Sequence, residues 1–81
     1  MDVKPVTVEG KVERQAVALG SKSERRAVVL RTVDGETFVL RRRGGPAFAD
    51  PDLNPLVGHS IKAEGLATGG TLIMDRWRKT D

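Results

Sequence analysis

The chain has 81 residues, 14 Lys and Arg against 11 Asp and Glu, a net charge of +3 and no cysteine. That length suits one domain, 1–81, with a modest core, and without cysteine neither disulfides nor a thiolate metal site can reinforce it. No apolar stretch of signal-peptide type opens the chain, and the longest apolar run, Ala27–Leu30, is far too short to span a bilayer, so a cytoplasmic protein with no membrane partner is the expectation.

The placement of charge says more than its sum. Residues 21–43 hold seven cations against three anions, a local +4, whereas 1–20 balance to zero, 44–66 come to −2 and 67–81 to +1. A field concentrated in one part of a fold favours a polyanion, although it also serves solubility.

In chain order, Val6, Val8, Gly10 and Val12 alternate with polar residues, the period of a half-buried strand over 6–14. Gly10 falls on the apolar parity, where a strand coils sharply or accepts a close neighbour. Residues 15–24 read as the first long connection. Its Gly20-Ser21-Lys22-Ser23 has a phosphate-loop flavour but lacks the earlier glycine and a following helix.

A hairpin follows from Arg25 to Arg43, turning at Val33-Asp34-Gly35-Glu36. A two-residue loop would mix apolar and charged side chains on each face. A three-residue loop with a G1 bulge at Gly35 instead sets Thr32 against Glu36, Leu30 against Phe38 and Val28 against Leu40, which gathers the large apolar residues on one side. The outer side is then Arg25, Ala27, Val29 and Arg31 facing Arg43, Arg41, Val39 and Thr37. Arg26 would lie across from Arg42 and Arg25 from Arg43, like-charge oppositions that destabilise a hairpin.

After Gly44-Gly45-Pro46 the chain leaves the sheet. Asp50 as cap, Pro51 at the first helical position and Asp52 in the first turn start a short helix, and Gly58 stops it. Pro55 limits it to one or two turns, partly 3₁₀, with Leu53, Leu56 and Val57 plugging one end of a barrel. Strand four runs from Ser60 to Leu66 with Ile61 and Ala63 inward. A Thr68-Gly69-Gly70 turn leads to strand five, 71–77, with Leu72 and Met74 inward. Arg78–Asp81 is expected to fray.

Strand, strand, strand, short helix, strand, strand resembles small bacterial OB-fold (oligonucleotide/oligosaccharide-binding) domains over about residues 5–78. The resemblance is carried by Val6–Val12, the Asp-Gly hairpin and the passage Leu56–Gly65. It implies an all-β, five-stranded Greek-key barrel with one short helix between strands three and four. It also implies a ligand face on the outside of strands two and three, flanked by the loops at about 15–24 and 66–70. Carried onto this chain, the nucleic-acid contacts would be Lys22, Arg25, Arg31, Thr37, Arg41 and Arg43, with Arg76 and Trp77 added from the end of strand five.

Single-strand binders of this fold usually stack bases on aromatic side chains. Here the aromatics are Phe38, Phe48 and Trp77, none of them on that face. Binding would therefore run through the phosphate backbone, with weak sequence preference and a steep salt dependence.

No catalytic residue, cofactor or metal is expected. His59 stands alone, Ser21, Ser23 and Ser60 lack an activating base, and Asp50 and Asp52 serve the helix start. Arg43-Gly44-Gly45 is too short for an RNA-binding tract. Trp77 is more often a barrel-closing residue than a stacking platform. Two functions remain: a nucleic-acid-binding module using the strand 2–3 face, or a protein-interaction module using Val29 and Val39 or a sheet edge.

Overall fold

The computed structural model describes residues 3–18, 24–45 and 51–81, with backbone alone at 16–18 and 24–26. Five strands, β1 (Lys4–Ala18), β2 (Glu24–Thr32), β3 (Thr37–Arg42), β4 (Ser60–Thr68) and β5 (Thr71–Lys79), close into a barrel in the order β1-β2-β3-β5-β4. All neighbours are antiparallel except β3 and β5. A 3₁₀ helix, Pro51–Leu56, lies between β3 and β4. This is the OB-type Greek-key barrel expected from the sequence.

β1 belongs to two ladders. Residues Lys4 to Lys11 pair with β4, and Gly10 to Ala18 pair with β2. The strand must bend where it passes from one partner to the other, at Gly10, which pairs with both Thr32 and Ile61. A Cβ at Gly10 would be driven into the backbone carbonyl of Arg31, and one at Gly65 into that of Ile73. Both glycines are required by close approach of a neighbouring backbone.

The expected hairpin register holds: Leu30 pairs with Phe38, Val29 with Val39 and Arg31 with Thr37. Thr32 N donates to Glu36 O at 2.8 Å, and Gly35 takes the left-handed conformation at φ 92°. Two expectations about its outer part are corrected. Residues 15–18 and 24 are strand, not loop, because Glu13–Ala18 pairs residue for residue with Glu24–Val29. The β2–β3 ladder also stops at Val29 and Val39, so Val28 and Leu40 lie beyond it and the oppositions of Arg25 to Arg43 and Arg26 to Arg42 do not form. Beyond that point β2 follows β1, while Val39–Arg42 pairs with β5.

The core is Val12, Leu30, Leu40, Ile61, Ala63, Leu72 and Met74, capped by Leu53 and Leu56 from the helix. Phe38, Val28, Val57 and Trp77 pack against it half-buried. The plug is tied to β1: Val12 N donates to His59 O at 2.9 Å, and Gly58 N to Val12 O at 2.8 Å. Arg14 bonds Asn54 Oδ1 at 2.6 Å and Arg42 meets Asp52 at 3.0 Å, holding the helix from two sides.

A β-bulge in β5 decides where Trp77 points. Gly65 pairs with Met74 but Glu64 with Arg76, so Asp75 is the extra residue. Strict alternation from Met74 would send Arg76 inward and Trp77 out. The bulge shifts the parity by one, and Trp77, opposite Ala63, returns to the core. The tail does not fray as expected: β5 reaches Lys79, Thr80 N donates to Ser60 O at 2.8 Å, and Asp81 Oδ2 accepts from Ser60 N at 3.1 Å.

Candidate nucleic-acid interface

Odd-numbered residues on β1, β2 and β3 lie on the outer side along the described part of the sheet, and all but Val29 keep some exposure. Arg31 and Thr37 sit opposite each other and exposed, with Val39 and Arg41 following along β3. On β5, Thr71 stands beside Val39 and Ile73 beside Arg41. The β4–β5 turn joins this surface, since Val39 N donates to Gly70 O at 2.9 Å. Strands β2, β3 and the 66–70 loop therefore meet as the resemblance implies.

Two of the three described arginines of this face already have partners. Arg31 Nη1 lies 3.5 Å from Glu13 Oε2, and Arg43 Nη1 lies 3.0 Å from Asp75 Oδ1. Their side chains are 59% and 73% exposed, so these pairs are in water, where an ion pair contributes about 0–1 kcal/mol and exchanges readily for another anion. Arg41 differs. Among the described residues it forms no ion pair, and its Nε is buried with no hydrogen-bond partner. Desolvating a donor without an acceptor is costly, and the cost is larger on a charged group.

The remaining sequence-derived contacts scatter. Lys22 and the side chain of Arg25 fall outside the described residues, as do Phe48 and Asp50. Arg76 is exposed on the outside of the β4–β5 ladder opposite Glu64, beyond the stretch of β5 that pairs with β3. Trp77 is turned toward the core and presents no free ring to this face. Val29, expected as an outer-face contact, is fully buried, which removes it as a seed for an apolar partner.

The barrel brings together a second group of cations that reading along the chain did not assemble. Lys11, Lys62 and Arg78 are all exposed and outward. Lys11 is opposite Arg31, and Lys62 is opposite Arg78. They come from segments whose net charge is zero, negative and slightly positive, so a running charge sum hides them. Strand alternation combined with the order β5-β4-β1-β2 is the signal for Lys11 and Lys62, and Arg78 joins them only through the parity shift of the β5 bulge.

His59 serves the tail: its Nδ1 lies 3.3 Å from the Asp81 carboxylate. The Ser60 amide, with His59 beside it, holds the Asp81 carboxyl below its ordinary value of 3.8. Among the described residues no cluster of His, Cys, Asp and Glu is arranged to hold a metal ion, and no helix is long and apolar enough to cross a membrane.

Fold and surface together define a closed OB-type barrel with cations on its outer faces. Comparison with protein-family models, curated proteins and solved structures finds no match for this chain.

Proposed function

We propose that the chain is a non-catalytic module that binds single-stranded nucleic acid through its phosphate backbone, on the outer face of β2 and β3. The observation that carries this reading is Arg41, the described cation of that face without a carboxylate partner, whose Nε is buried and unbonded. A phosphate that draws the side chain outward supplies the missing acceptor and accepts from Nε and Nη together. Arg31 and Arg43 flank it in ion pairs weak enough to yield to phosphate. OB topology adds support by analogy, since this face and the 4–5 loop commonly take oligonucleotides in the fold.

Phe38 and Trp77 pack on the core, so neither is a stacking platform on this face. Affinity then rests on charge, with little sequence preference. The test is a fluorescence-anisotropy titration of labelled single-stranded DNA and RNA at low and moderate salt. Binding that weakens steeply with salt, and that Arg41→Ala reduces, is expected. No binding of either nucleic acid at low salt overturns the reading.

One observation favours a second reading, addition of a partner strand. The β2–β3 ladder ends at Val29 and Val39 while β2 itself begins at Glu24, so residues 24–28 reach beyond β3 with β1 as their paired neighbour. Amide shifts confined to 24–28 on adding a protein extract fraction, with no response to nucleic acid, would support it.

A further inference from the structure

We propose that the bound strand does not end at β2 and β3 but continues over β1 to β4 and β5, along a stripe formed by Arg31, Lys11, Lys62 and Arg78; this rests on the nucleic-acid reading above. Each of four neighbouring strands contributes one cation. Arg31 and Lys11 are direct cross-strand partners on β2 and β1, and Lys62 and Arg78 are direct partners on β4 and β5. The two pairs join on the diagonal, because Lys11 pairs with Ser60, two residues before Lys62 on the same outward face. Arg31 also pairs with Thr37 on β3, so the stripe is continuous with the first face.

Like charges held directly opposite each other destabilise a ladder. Glu9 is the cross-strand neighbour of Lys62, yet Lys11, Lys62 and Arg78 close no ion pair among the described residues. An anion lying across the strands would satisfy both pairs. Direct cross-strand steps are about 4.8 Å and the diagonal one about 7–8 Å, so the stripe is roughly 17 Å long. A line of charges, one to a strand, suits a ligand that carries one charge at each unit of a chain.

The stripe also has a boundary. Next to Lys62 on the same face is Glu64, which with Asp75 lines a shallow cleft of about 310 Å³ shared with Pro5, Val6 and Thr7. That acidic surface repels phosphate and confines the path to the Lys62–Arg78 side. The stripe's neighbours Thr7, Glu9 and Ser60 form no apolar pocket of the kind that anchors a protein partner.

The experiment uses the full chain and labelled oligothymidylate of about 20 nucleotides, longer than the ~4–16 that one OB barrel covers. Arg78→Glu creates a Lys62 ion pair and should fold; Lys62→Gln/Arg78→Gln is the milder companion, and circular dichroism checks both. The double variant is expected to bind about tenfold more weakly at low salt and to lose about 1.4 from the salt slope, about 0.7 for each of two phosphate contacts on a single strand. Lys4→Glu, off the stripe with the same charge change as Arg78→Glu, should cost less than Arg78→Glu. Equal losses from Lys4→Glu and Arg78→Glu mean net charge alone and overturn the stripe. Binding weakened by Arg41→Ala but untouched by the Lys62 and Arg78 variants overturns the stripe and leaves the first reading standing. No binding at all overturns both. Polyglutamate of matching charge binding as tightly, through Lys62 and Arg78, overturns nucleic acid as the occupant.

Discussion

Arg78 on β5 stands directly opposite Lys62 on β4, both exposed and neither in an ion pair among the described residues. Cross-strand charge pairs are worth a few tenths to about 1 kcal/mol, favourable when opposite and unfavourable when alike. Arg78→Glu should therefore raise stability by roughly 0.5–1 kcal/mol in urea unfolding. If the stripe binds nucleic acid, the same change weakens binding, so the two measurements move in opposite directions.

Arg41 should show the same opposition by a different cause. Its buried, unbonded Nε leaves a donor unsatisfied in the free protein. Arg41→Met keeps most of the aliphatic bulk and removes that donor, so stability is expected to be unchanged or higher by about 1 kcal/mol. Oligonucleotide affinity should fall. A loss of stability beyond about 1 kcal/mol would show that the guanidinium is satisfied in solution.

Gly10 and Gly65 sit where one backbone presses on another, and neither the Arg31 nor the Ile73 carbonyl can swing aside as a side chain would. Gly10→Ala and Gly65→Ala should each cost about 1–3 kcal/mol or more by overpacking. In a chain with a core this small, that is a large part of the total stability. Thermal melts would register it as a strongly lowered midpoint for both variants; a near-native midpoint for either would contradict the close approach.

The Asp81 carboxylate accepts from the Ser60 amide, and that bond, with His59 adjacent, lowers its pKa in the folded protein. A depressed carboxylate pKa means a contact fully present above the unfolded value and lost as pH falls through the folded one. The Ser60 amide proton should therefore shift in an NMR titration with a midpoint below 3.8. Asp81→Asn should abolish that transition and leave the rest of the barrel unchanged.

Trp77 packs against the core opposite Ala63. Its fluorescence should report unfolding strongly and oligonucleotide binding weakly. Trp77→Phe should leave affinity within about twofold, because no base stacks on the ring; a stacking residue would forfeit about 1–3 kcal/mol per base.

Local chemistry was sufficient for much of the architecture. Alternation placed Val12, Leu30, Leu40, Ile61, Ala63, Leu72 and Met74 inside, where all are buried. The Asp-Gly turn settled the hairpin register, because only one loop length groups Leu30 with Phe38. Pro51, Pro55 and Gly58 bounded the short helix, and Leu53 and Leu56 are its buried residues. Each signal lies within a few residues of the feature it specifies.

What the sequence could not decide depends on partners distant in the chain. The length of β1 is set by Glu24–Val29 lying against Glu13–Ala18, and no turn residue marks that extension. The inward return of Trp77 depends on a bulge against Gly65, which breaks the alternation that sequence reading relies on. The carboxylates that engage Arg31 and Arg43 come from β1 and β5, and the stripe through Lys11, Lys62 and Arg78 exists only because barrel closure sets β5, β4, β1 and β2 side by side. Sequence alone determined the outward parity of β1 to β4, because strand period is a local property, but not that of β5 past its bulge. Tertiary structure decided which outward charges become neighbours, because cross-strand distance is fixed by closure and not by separation along the chain.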